Sequence, residues 1–235
     1  LNTDDWNWSL GGTYFTQRRY AKSLPDNGVE NNRQGGIEIY DPATGETKYI
    51  GGLQEGQRVG TDIVTAYVQE GVYNSQAELE ADAGRTVAFA RNPSLQQLGD
   101  ARWRDVNGDN IIDYRDRVVL GRVTPDLFGG FTSDLSWKNF NLFIKTDFAL
   151  GHLILNNTRV RGMSQVQGNQ NWTTEILETW TPENTDTNVP RFDFTDPQSN
   201  HRHGVGRILL LPDCLNFRIQ DNRQQRLTCF PVHHD

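Results

Sequence analysis

Cysteine is nearly missing from this chain, and methionine occurs once, as Met163. Both cysteines, Cys214 and Cys229, lie beyond residue 213. They can form one disulfide, but they make neither a disulfide framework nor a metal-ligand spacing. Long apolar runs are missing too. Nothing approaches the ~18 consecutive apolar residues of a membrane helix, and the mean hydropathy is -0.67. Basic charge is not in excess: 23 Lys and Arg stand against 30 Asp and Glu, for a formal net charge of -7. The signs are interspersed, so there is no footprint for nucleic acid. No Gly-rich phosphate loop follows a strand pattern, and no Ser or Cys sits in a nucleophile motif. Carboxylate pairs abound, but without geometry any such pair reads as glycosidase-like. The expectation is a protein that is not an enzyme. Of the five histidines, His152 stands alone, while His201-x-His203 and His233-His234 lack a third ligand at fixed spacing and read as solvated loop. A charged-then-apolar leader is missing before Leu1. The simplest reading is a piece of a longer protein, so the missing signal does not fix a compartment.

What is present is aromatic and alternating. Six Trp, seven Tyr and eleven Phe in 235 residues are too many for a disordered polar tail, and the length allows one or two domains. From Trp6 to Phe15, large apolar residues alternate with small polar ones, the period-2 pattern of a strand with two unlike faces. Residues 26–36, rich in Asn and Gly, read as loop. Ile37-Glu38-Ile39-Tyr40 and Lys48-Tyr49-Ile50, either side of Asp41-Pro42-Ala43-Thr44-Gly45, predict a hairpin. Residues 75–90 read as helical, with Ser75 as N-cap and Glu78 completing a capping box. Residues 156–173 read as loop, and 172–180 as a short helix ended by Pro182.

The clearest segment is 128–150. Phe131, Leu135 and Trp137 share one parity, Lys138-Asn139 can turn tightly, and Phe140, Leu142, Ile144, Thr146, Phe148 and Leu150 then fall on one face. Asn141, Phe143, Lys145, Asp147 and Ala149 fall on the other. A strand crossing an outer membrane needs about 9–11 residues with one apolar face. An amphipathic hairpin of a soluble sandwich alternates in the same way. Periodicity leaves both open.

Residues 105–116 carry the most specific metal signal. Asp105, Asn107, Asp109, Asp113 and Asp116 occupy positions 1, 3, 5, 9 and 12 of a calcium-type loop, and the Ile111 carbonyl occupies position 7. Asn110 stands where Gly is usual, which Asn tolerates because it accepts the left-handed conformation. Asp116 replaces the longer Glu. The expectation is a structural Ca²⁺ on these six residues, against an acidic turn closed by Asx hydrogen bonds alone.

The run Gly99-Asp100-Ala101-Arg102-Trp103-Arg104-Asp105-Val106-Asn107-Gly108-Asp109, continued by Asp113, Asp116-Arg117 and Gly121, resembles the SusC/RagA family of TonB-linked outer-membrane proteins. Three further matches follow the family's order: Leu53-Gln54-Glu55-Gly56-Gln57-Arg58-Val59-Gly60 with Tyr67-Val68-Gln69-Glu70-Gly71-Val72-Tyr73; then Thr124-Pro125-Asp126-Leu127-Phe128-Gly129-Gly130-Phe131; then Trp180-Thr181-Pro182-Glu183-Asn184-Thr185 to Val189-Pro190-Arg191. The resemblance implies an all-β fold: the C-terminal part of a large transmembrane β-barrel, with antiparallel strands, long extracellular loops and a short helix. It implies import of oligosaccharides or peptides across a bacterial outer membrane. It also implies a SusD-type surface lipoprotein as partner, outer-membrane lipid around the barrel, and TonB contact through a region outside this chain. The alternative is a secreted, soluble β-sandwich glycan-binding module with a structural calcium loop. Residues 1–205 are expected to be partial barrel. Residues 206–235 depart from the family pattern and are expected to be an aberrant tail, frame-shifted or truncated.

Overall fold

The computed structural model describes residues 5–154, 162–163 and 172–193, and the backbone of 214–221 and 224–231. Period-2 alternation from Trp6 gives β1 (Trp6–Phe15), and the segment around 128–150 gives β10 (Leu127–Trp137) and β11 (Phe140–Leu150). With β12 (Cys214–Asp221) and β13 (Gln224–Pro231) they form an antiparallel sheet in the order β1-β10-β11-β12-β13. Both tail strands belong to the 206–235 stretch; residues 206–213, 222–223 and 232–235 lie outside those described.

Register sorts the side chains. Trp6 lies opposite Trp137, Trp8 opposite Leu135, and Trp137 opposite Phe140. Directly opposed residues share a face, so Trp6, Trp8, Leu10, Phe131, Leu135, Trp137, Phe140, Leu142, Ile144 and Phe148 form one apolar face. Ser9, Thr13, Thr132, Asp134, Asn141, Lys145 and Asp147 form the other, with Phe15, Phe128 and Phe143 as its apolar exceptions. The parity read from residues 131–150 therefore holds and extends to β1. Trp6, Trp8, Leu10, Phe131, Trp137 and Phe140 stay exposed, and among the described residues no second sheet covers them.

The two ends of the sheet differ. Lys138 and Asn139 alone join β10 to β11, and β13 begins three positions after β12 ends, at the same end. At the other end the chain leaves for residues 16–126 and 151–213. The first excursion carries a separate cluster of small elements. These are β2 (Ile37–Asp41), β3 (Glu46–Ile50), β4 (Ile63–Ala66), β5 (Gln69–Val72), α1 (Gln76–Ala81), β6 (Thr86–Val87), β7 (Ala101–Trp103), β8 (Ile111–Ile112) and β9 (Val118–Arg122). They pair as β2-β3, β4-β9, β5-β7 and, in parallel, β6-β8. Asp41 closes the β2-β3 turn as expected, its carboxylate accepting from Ala43 N and its carbonyl from Gly45 N.

Among the described side chains the main buried apolar core sits in this cluster, not in β1, β10 or β11. Tyr67, Val87, Ala90, Ala101, Trp103 and Ile112 pack together with Phe89 against them. The rings of Tyr67 and Phe89 are 4.4 Å apart, and Trp103 meets both edge-on. One expectation is corrected here. The helix over 75–90 stops at Ala81, although its start is as read, with the Ser75–Glu78 capping box formed. Gly84 adopts φ 91°, and residues 86–87 gain more by pairing with Ile111 and Ile112 and burying Val87 than by continuing the helix. The short helix expected over 172–180 is a 3-10 turn, Thr174–Glu178.

Candidate functional site

The loop cluster holds every site residue singled out in the sequence. In residues 105–116, Asp105, Asn107, Asp109, Asp113 and Asp116 each have a local task. Asp105 accepts from the backbone amides of Gly108 and Asn110 at 2.7 and 2.8 Å. Asn107 accepts from Asp109 N, and Asp109 from Ile111 N. Asp116, fully buried, accepts from Val106 N with one oxygen and Asp113 N with the other, both at 2.8 Å. Burial pushes its carboxyl above the ordinary value despite those amides. Asn110 is left-handed at φ 62°, as its place in the loop requires.

Arg115 is the element that spacing alone hides. Its guanidinium grips Asp113 through Nε and Nη2, and Nη2 lies 3.2 Å from Asp109. Partial burial raises the Asp113 carboxyl, but the hydrogen bonds from Arg115 outweigh it and hold the group below its ordinary value. The oxygen spacing of a calcium loop is thus present, with a cation of the chain already across two of its carboxylates. Among the described residues no group of three or more His, Cys, Asp or Glu is disposed to hold a metal ion. His152 is half-buried, and its Nδ1 has no hydrogen-bond partner among the described residues. His201, His203, His233 and His234 lie outside the described residues.

Two constellations were not legible in advance. Asp82, at the end of α1, accepts from Tyr73 Oη, Arg85 Nη1 and Arg102 Nε, all at its Oδ2. Tyr73 is 1% exposed. Burial, then the Asp82 charge, push its phenol up to about 12. The second is a clasp between motifs some ninety positions apart. Arg191 Nε donates to the buried Asp100 at 2.7 Å, Arg191 N donates to Gly99 O, and Trp180 Nε1 donates to Asn74 Oδ1 at 2.8 Å. Gly99 takes φ 82°, and a Cβ there would collide with the Trp180 ring. The Gly-Asp, Trp-Thr-Pro and Pro-Arg motifs therefore meet in one seat. No local signal announces either pairing, because the partners belong to different elements.

An open cleft of about 490 Å³ lies nearby, walled by crossing glycine-rich backbone at Gly35, Gly36, Gly51 and Gly52, with Ile63 and Arg117 on its lining. The crossing is tight: a Cβ on Gly52 would lie 2.5 Å from the Gln34 carbonyl oxygen. The volume is within the range of small-ligand sites.

No family model matches the chain. It is 29% identical, over 81% of its length, to TonB-dependent receptor P26 of Formosa agariphila, and equally to TonB-dependent receptor P3 of the same organism. It spans 17% of the length of each. Among solved structures it is similar to the RagAB peptide transporter, with TM-score 0.51 at 19% identity over 93% of this chain and 21% of the other. It is likewise similar to the RagAB peptide importer in a closed-closed state, with TM-score 0.52 at 16% identity and the same coverage.

Proposed function

We propose, from the premise that the chain is a piece of a SusC/RagA-type TonB-dependent receptor, that it supplies wall strands and extracellular loops of an outer-membrane importer. One observation carries this: strands of 10 and 11 residues with one exposed apolar face, joined tightly at one end and by long excursions at the other. Only every second strand residue meets lipid, the remainder face water, and the tight turns belong to the periplasmic side. The long excursions would then stand outside the cell, where nutrient and a surface lipoprotein arrive. The cargo class is oligosaccharide or peptide, and the likeness to a peptide transporter favours peptide. A SusD-type lipoprotein is the proposed partner on the loop side, and TonB would engage a region outside this chain.

The test uses the full-length receptor. Recovery in outer-membrane fractions with heat-modifiable gel migration supports the importer, and a fully soluble product overturns it. Uptake of labelled peptides against labelled oligosaccharides by cells carrying the receptor decides the cargo class. Calcium at residues 105–116 is a separate proposal with a condition: Arg115 must leave Asp109 and Asp113 before those carboxylates can reach an ion. Calorimetry of the full-length receptor, with Asp105→Ala as control, decides it. Heat of calcium binding in the parent alone supports the ion, and no heat in either protein removes it.

A further inference from the structure

At the tight-turn end, the apolar face of the sheet ends in a rim of aromatics. The rings of Trp6 and Trp137 stack at 5.4 Å and 26°, Phe140 lies opposite Trp137 in register, and the Trp8 indole is steadied by its Nε1 donating to Ser133 Oγ at 3.0 Å. Beyond that rim the turn places a lysine in an unusual conformation. Lys138 adopts φ 51°, a region where turns normally use Gly or Asn. Its backbone N donates to Asp5 O at 3.2 Å, and its ammonium stands 5.6 Å from the centre of the Trp137 ring. Among the described residues it pairs with no carboxylate. An exposed apolar strip, an aromatic rim and then an unpaired cation are the complement of one amphiphile, whose chains lie along the strip and whose anionic group sits at the rim.

The geometry points to Lys138, with Trp6 and Trp137, as a headgroup site for a glycerophospholipid of the leaflet at the tight-turn end, the ammonium pairing with the lipid phosphate. This rests on the barrel reading above. The site fixes how deep this part of the wall sits, because the turn can move along the membrane normal only by giving up the phosphate or drowning the aromatics.

Native mass spectrometry of the detergent-extracted full-length receptor with added dioleoylphosphatidylglycerol tests it. Lys138→Gln is expected to weaken lipid retention about fivefold, the effect of one cation near an anionic surface. Lys138→Arg is expected to keep it, Trp137→Leu to weaken it, and excess inorganic phosphate to leave the bound lipid in place. Retention in Lys138→Gln equal to that of the parent overturns the site, as does displacement by inorganic phosphate. A parallel variant separates the two readings. If Ile144→Arg, mid-strand on the same face, assembles normally, the barrel itself is wrong. If it fails to assemble while Lys138→Gln retains lipid as the parent does, only the headgroup site falls.

Discussion

A methyl group on Gly99 has nowhere to go. The residue sits at φ 82° beneath the Trp180 ring, so Gly99→Ala combines left-handed strain with overpacking, for a loss of about 2–4 kcal/mol. Chemical denaturation of the full-length protein, or protease sensitivity of residues 172–193, reads that loss; an unchanged midpoint would show that the clasp does not hold the fold. The neighbouring Asp100–Arg191 pair needs both members, since removing Arg191 leaves a carboxylate 1% exposed without its cation. Tyr73 gives a pH signature. Its folded value is raised from 10.0 to about 12, so its contribution is complete below pH 10 and is lost as pH rises toward 12. The loss is roughly 2–3 kcal/mol over that window. Tyr73→Phe is expected to flatten the alkaline fall in stability, and a fall of the same depth in the variant would place its cause elsewhere. The Gly-Asp and Pro-Arg motifs could be seen in the sequence as words, but their meeting could not, because nothing local ties residue 100 to residue 191.

Among the elements, β11 makes the sharpest prediction. Its alternation puts Ile144 on the apolar face and Lys145 on the polar one. An Arg at position 144 is expected to cost about 2–4 kcal/mol if the strand crosses the bilayer near its midplane, whereas Lys145→Arg changes nothing on assembly. Equal outer-membrane yields for the two variants would refute the facing. This element was readable because period 2 is a local property: each residue's face follows from its neighbours two positions away. Helix α1 shows where local reading stops. Its capping box forms as the spacing of Ser75 and Glu78 predicts, and Ser75→Ala is expected to cost about 1 kcal/mol, measurable by thermal melting. Its end is set from outside, by the pairing of Thr86 and Val87 with Ile111 and Ile112 and by the demands of Arg85, Arg102 and Tyr73 on Asp82.

At the scale of the whole molecule, the sheet is an open one among the described residues. β1 has β10 on one side, and β13 has β12, so in lipid each outer edge would leave backbone groups unpaired unless more strands follow. On the proposed barrel reading, the full-length protein is expected to resist unfolding in detergent until heated, whereas the isolated 235-residue chain expressed in the same cells is expected to aggregate rather than insert. Recovery of the isolated chain as a stable, soluble monomer would contradict the membrane assignment of the apolar face. For residues 206–235 we keep the proposal of a shifted or truncated frame, and an intact, in-frame tail in an independent read of the coding DNA removes it.

By itself the sequence determined the alternating faces, the strand lengths, the tight turn at 138–139 and the ordered motifs, since each depends on residues close together along the chain. The tertiary structure alone decided that β1 pairs with β10 across the whole excursion 16–126, that Arg115 occupies the acidic loop, and that Asp100 and Arg191 form one buried pair. Those outcomes depend on closing long loops and on which surfaces can be dried together, and no local period encodes either.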